Sequence, residues 1–201
     1  MTLTPPLSDR LRARTERLTR AIGEGLARAH IHPDALSLLG IGFTGAAAWC
    51  IVNGAFLWAA FWTTLGGLCD VADGATARAL GSPRPFGALL DSTLDRYADG
   101  FLFGALSYYF AQRDQFGAML LALTALTGSY AVSYIRARAA SADIAVSVKI
   151  GAFSRLERMV VLIVAFGFPM LMVPALALLA AGTHFTAIQR LAYVRRHTEE
   201  K

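Results

Sequence analysis

Five of the chain's fourteen acidic residues fall within thirty positions, inside otherwise apolar sequence. The stretch runs from Cys69 to Gly100 and reads CDVADGATARALGSPRPFGALLDSTLDRYADG. Few folds tolerate this. Asp70 and Asp73 are three apart, and Asp91 and Asp95 are four apart, so on helices each pair shares a face. Two such faces brought together place four carboxylates around one point. At membrane depth carboxylates are costly and usually mark a site with a partner. Hard divalent cations suit an oxygen-only cluster.

The surroundings set that depth. The 201 residues are 55% hydrophobic and only 16% charged, against about a quarter charged in a soluble domain. A polytopic, all-α integral membrane protein is the expected class. Ser8 to Ala29 reads as an amphipathic helix with Ser8 as its cap. Leu11, Leu18, Ile22 and Leu26 share a stripe with Arg around the rest, a pattern suited to the membrane interface. Packing on protein alone is the competing reading. His32-Pro33 then breaks the pattern. This divides a juxtamembrane segment, 1–32, from a transmembrane catalytic domain, 33–201.

Six hydrophobic spans are expected in that domain: Leu36 to Val52, Ala55 to Leu80, Phe86 to Ala111, Phe116 to Ile135, a fifth from Phe153, and a sixth ending near Tyr193. Asn53-Gly54 and Gly81–Pro85 are the first turns, and Pro169 and Pro174 mark a turn or kink between the last two spans. Ala55 to Leu68 is too short to cross a core of about 30 Å alone. The second span must therefore continue into its carboxylates near one interface. An even span count puts both termini on one side. With that side cytoplasmic, Arg113 is the one loop or tail cation left outside. The carboxylates then face the cytoplasm, within the cytoplasmic membrane. No secretory signal is evident at the polar, basic N-terminus. The net charge of +5 fits attraction to an anionic membrane face, and no basic stripe interleaved with aromatics suggests nucleic acid. Cys50 and Cys69 read as packed thiols. The four His share no ligand spacing.

Written as a pattern, the acidic stretch is D-x2-D-G-x2-A-R-x8-G-x3-D-x3-D, filled by Asp70, Asp73, Gly74, Ala77, Arg78, Gly87, Asp91 and Asp95. It resembles the CDP-alcohol phosphotransferases at every fixed position, and the six-span layout extends the resemblance over most of the chain. The resemblance implies a phosphotransferase that assigns Asp70, Asp73 and Asp91 to metal ions. It gives Asp95 a dual role, near the metals and as general base. Mg²⁺ is the default ion for oxygen ligands and a diphosphate, with Mn²⁺ the other choice. Gly74 and Gly87 remove Cβ where backbone and nucleotide approach, and Arg78 is placed to contact a phosphate. Asp34 and Ser37, in Pro33-Asp-Ala-Leu-Ser37, resemble the family segment that closes over the nucleotide of a CDP-lipid. An ordinary helix cap is the other reading of that segment. Asp99 extends the Asp91–Asp95 stripe, as a structural acid or a supporting one. A homodimer is also implied.

The acceptor is a separate question. SYIRARAASADIAVSVKIGAFSRLERM, read as a loop after the fourth span, supplies Arg136, Arg138, Lys149, Arg155 and Arg158. Several such donors suit an acceptor that already bears a phosphate. The SYxRARA and RxER elements, with FGALLDSTLDR, resemble bacterial phosphatidylinositol phosphate synthases. By that resemblance Ser133, Arg136, Arg138, Arg155 and Arg158 hold inositol phosphate, and CDP-diacylglycerol is the donor. Arg84 stands where those enzymes tend to carry a small hydroxyl residue, which puts a nucleotide contact there in question. Glycerol phosphate is also anionic, so a phosphatidylglycerol phosphate synthase is the rival enzyme. A CDP-archaeol donor stays open, and a cation transporter is the rival from another class.

Overall fold

The computed structural model describes residues 7–81, 84–141, 151 and 153–199, with backbone alone for 7–16 and 197–199. Among the described residues there is no strand. The helices are α1 (Leu7–Arg28), α2 (Pro33–Val52), α3 (Phe56–Ala79), α4 (Pro85–Ala111), α5 (Phe116–Ala140), α6 (Arg155–Gly167) and α7 (Met172–Glu199), with a 3-10 turn at Pro169–Leu171 before α7.

Local chemistry explains most boundaries. His30, in the left-handed region at φ 58°, closes α1, and Pro33 starts α2 where its missing N–H is no loss. Gly54 at φ +73° turns the chain between α2 and α3, and Asn53 Nδ2 caps Trp49 O at 2.8 Å. Gly81 at φ +66° follows α3. Ser8, expected as the cap of α1, lies inside it. Two further boundaries depart from expectation. α5 does not end at Ile135 but runs to Ala140, because Ala and Arg are strong helix formers and nothing breaks the run. Arg136 and Arg138 therefore stand on a helix rather than in a loop. Pro174 lies in the first turn of α7, where proline is tolerated, so the turn falls at Pro169 alone.

The described residues fall into two compact units. One takes Met1–Phe43 and Leu65–Asp95; the other takes Thr44–Thr64 and Arg96–Lys201. The second holds the main apolar core. Leu102, Phe103 and Leu106 of α4 meet Leu162 and Phe166 of α6 and Leu176 and Leu179 of α7. α5 packs along α7 at Gly128, where a Cβ would collide with Thr183 and would meet His184 Nδ1 at 2.7 Å. Small residues let helix backbones approach in this way.

The distribution of polarity is inverted relative to a soluble bundle. Thr63, Ser129, Thr183 and Thr186 are fully buried, while Leu57 (72%), Trp49 (71%) and Met170 (84%) stand exposed. Large exposed apolar surface of this kind needs a covering medium. Among the described residues, three helical stretches are long and apolar enough to cross a membrane: Pro33–Val52, Phe116–Ala140 and Pro169–Arg196.

Candidate active site

The first unit brings the acidic motif together. α2 and α3 approach closely because Gly40 has no side chain; a Cβ there would lie 3.1 Å from Cys69 Cβ and 3.3 Å from Gly66 O. One turn away, that approach sets Ser37 Oγ 2.5 Å from Asp73 Oδ2. Across from Asp73, one carboxylate oxygen from each of Asp70, Asp91 and Asp95 lies within 4.8 Å of the others. All three side chains are half-buried. Asp73 is buried (6%) and feels the charges of Asp91 and Asp70 while accepting the Ser37 hydroxyl. Three of the four expected carboxylates thus form a tight group, with the fourth beside it and oriented by serine. An all-oxygen anionic group this compact fits a hard divalent cation such as Mg²⁺ or Mn²⁺. Asp70, Asp91 and Asp95 each offer one oxygen that could hold it.

A cavity of about 360 Å³ opens beside this group. Asp34, Ser37, Gly74, Arg78 and Gly87, the residues carried over for the CDP-lipid, all line it, with Asp73 and Asp91. Two glycines stand on its wall. A Cβ on Gly87 would sit 3.5 Å from Asp34 Oδ1, and one on Gly74 would sit 3.3 Å from an Arg78 guanidinium nitrogen. Arg84 also reaches the cavity, where its Nη2 donates to Asp34 Oδ1 at 3.0 Å. His32 Nδ1 lies 3.6 Å from the other oxygen of Asp34.

The second unit holds the basic residues. Arg158 is buried, with Nη2 2.7 Å from Asp99 Oδ2, so Asp99 is a buried, ion-paired acid. Arg136 and Arg138 are exposed on the last turns of α5, Ser133 is half-buried there, and Arg155 opens α6 half-buried. Arg138 Nη1 donates to Ser141 Oγ at 3.2 Å. Lys149 lies outside the described residues. Sequence reasoning gave no role to Arg190, which falls within the sixth span, ending near Tyr193. Arg190 is buried (3%), donates from Nη1 to Val132 O at 2.9 Å, and feels the charges of Arg136 and Arg158. The spacing of Thr183, Thr186 and Arg190, all buried on one face of α7, is the signal that marks it.

The sequence model of the CDP-alcohol phosphatidyltransferases matches residues 30–189. The chain belongs to that family. Its membership and its three apolar helices make it an integral membrane protein and a phosphatidyltransferase enzyme. The phosphatidylinositol phosphate synthase of Streptomyces avermitilis is 36% identical over 190 residues, covering 87% of this chain and 77% of the relative. The archaetidylinositol phosphate synthase of Methanothermobacter thermautotrophicus is 36% identical over 172 residues, covering 83% and 85%. The crystal structure of the Mycobacterium tuberculosis phosphatidylinositol phosphate synthase with CDP-DAG bound superposes with a TM-score of 0.79 at 32% identity, over 89% of this chain and 94% of that one. The same enzyme with manganese and citrate gives 0.77 at 31% identity, over 88% of each.

Proposed function

We propose that this enzyme transfers the phosphatidyl group of CDP-diacylglycerol to inositol phosphate, releasing CMP and forming phosphatidylinositol phosphate. The observation that carries the reading is the tight Asp70–Asp91–Asp95 group beside a cavity lined by all five residues assigned to the CDP-lipid. When bound, divalent cations there supply charge neutralisation for the diphosphate and the departing phosphate. Arg78 and Arg84 add fixed positive charge at the cavity wall. Gly74 and Gly87 leave room for the nucleotide. Asp73, held by Ser37, keeps a fixed carboxylate beside the group.

Asp95 accepts the proton of the acceptor hydroxyl. The freed oxygen forms a bond to the phosphorus on the lipid side of the diphosphate. The bond to the bridging oxygen breaks, and CMP leaves with that electron pair. Ser133, Arg136, Arg138, Arg155 and Arg158 hold the acceptor phosphate in this proposal, with Arg190 beside them. The names of the relatives favour inositol phosphate over glycerol phosphate.

The proposal includes the topology. α2 to α7 provide the six spans; α6 alone, about 20 Å at 1.5 Å per residue, falls short of a core of about 30 Å, so the fifth span takes in the 3-10 turn at Pro169–Leu171 as well. α1, as the 1–32 segment, lies in the cytoplasmic interface, supported by the exposure of Leu18 and Ile22. Residues 33–201 form the catalytic domain, both termini and the active site are cytoplasmic, and the working unit is a homodimer.

The test is CMP release from CDP-diacylglycerol by the purified protein with Mg²⁺, comparing inositol phosphate, glycerol phosphate, free inositol and serine. Release with inositol phosphate alone supports the whole reading. Release with another acceptor alone overturns the acceptor assignment and keeps the transfer.

A further inference from the structure

One ion pair in the first unit joins two walls of the CDP-lipid cavity. Arg84 Nη2 donates to Asp34 Oδ1 at 3.0 Å, across a separation of 50 residues, and both residues line the cavity. Their anchoring differs. Pro85 keeps the residue before it out of the helical region, and Arg84 O accepts the Ala88 N–H at 3.1 Å. Arg84 is thus the fixed cap residue of α4. Asp34, in the first turn of α2, has less to hold its side chain. Its own N–H donates to His32 Nδ1 at 3.3 Å. A nitrogen that accepts there has no proton to offer the carboxylate, and its 3.6 Å to Asp34 Oδ2 is too long for a hydrogen bond. Among the described residues, Arg84 is therefore the one side chain that donates to Asp34.

We propose that Arg84 is a positioning residue for the CDP-lipid, acting through Asp34 rather than on the diphosphate. This role rests on the cavity being the CDP-lipid site. An ionised carboxylate only accepts hydrogen bonds. Asp34 can therefore engage the hydroxyl or amino donors of a nucleoside, and it repels a diphosphate. Its partner Arg84 works at the same, nucleoside end. Arg78, which has no ion-pair partner among the described residues, is the cation left for the phosphates.

Without Arg84 the Asp34 carboxylate turns freely about its side-chain bonds and must be ordered when the ligand arrives, which weakens binding. The pair is partly open to solvent, 46% for Arg84 and 21% for Asp34. Such pairs add little to stability, so its loss should show in affinity rather than in melting.

The experiment measures the Kd of a short-chain CDP-diacylglycerol by calorimetric titration with Mg²⁺, with kcat from CMP release and the melting temperature alongside. The proteins are wild type, Arg84→Met, Arg84→Lys, Asp34→Ala and the double variant Asp34→Ala with Arg84→Met. Arg84→Met should raise Kd about fivefold, within the usual coupling between residues in contact, while kcat at saturation and the melting temperature move little. Arg84→Lys should recover most of the affinity, since the contact runs through one nitrogen. In the Asp34→Ala background, Arg84→Met should change Kd by less than about twofold. The same factor in both backgrounds would make Arg84 a direct ligand of the phosphates and overturn the proposal. So would an unchanged Kd for Arg84→Met, or a loss of affinity that follows a lower melting temperature. A wild type that binds no CDP-diacylglycerol would instead overturn the reading of the cavity, and this role with it.

Discussion

The Asp99–Arg158 pair allows a sharp test of how the second unit is held together. Both side chains are almost fully buried and the contact is 2.7 Å. Asp99→Asn leaves the Arg158 charge inside without its counter-ion. Breaking a buried pair in this way costs about 3–5 kcal/mol. For a chain of this size each kcal/mol moves the melting temperature by roughly 2–4 °C, so the variant should melt about 6–20 °C lower. Replacing both partners, as Asp99→Leu with Arg158→Met, removes the stranded charge and should recover most of that loss. The assay is thermal unfolding in detergent, followed by the loss of helical signal, for wild type, the single variant and the double variant. A single variant that melts with wild type would refute the reasoning, as would a double variant no better than the single. The stable double variant also separates two roles of Arg158. If its guanidinium holds the acceptor phosphate, KM for inositol phosphate rises sharply; if it only braces α4 against α6, KM stays near wild type.

Asp95→Asn should lower kcat by about 10² to 10⁴-fold with an unchanged melting temperature, read from CMP release and thermal unfolding side by side. Ser37→Ala removes the donor that orients Asp73; loss of a hydrogen bond to a charged group, about 1.5–3 kcal/mol, should raise KM for the CDP-lipid about tenfold or more. Chelation should abolish CMP release, with Mg²⁺ or Mn²⁺ restoring it; full activity in excess chelator would exclude the cation role of Asp70, Asp91 and Asp95. Gly128→Val places a side chain against Thr183 and His184 and should lower detergent stability by about 1–3 kcal/mol, as overpacking does.

The residues that were legible in the sequence share one property: their chemistry is local. Asp70 with Asp73, and Asp91 with Asp95, sit one helical turn apart, so spacing alone assigns them to faces. Gly54 was legible because its turn needs a positive φ. Residues whose meaning depends on a distant partner were less so. Ser37 finds Asp73 at a separation of 36 residues, and Asp99 finds Arg158 at 59. No periodicity announces such pairs. Asp99 in particular looked like a third member of the Asp91–Asp95 stripe, but its partner makes it a brace of α4.

The same distinction explains the missed and misplaced cations. A run of Arg beside a membrane span has two readings, topology or ligand, and charge counting cannot choose between them. Burial can. Arg136 and Arg138 remain exposed at the end of α5, as topology alone would allow, whereas Arg158 and Arg190 are buried on α6 and α7. Burying a guanidinium is costly without compensation. Arg158 has Asp99 for this, and Arg190 donates to the backbone carbonyl of Val132. Arg190 shares a buried face of α7 with Thr183 and Thr186, and it is this burial, not its charge, that sets it apart from the exposed Arg138.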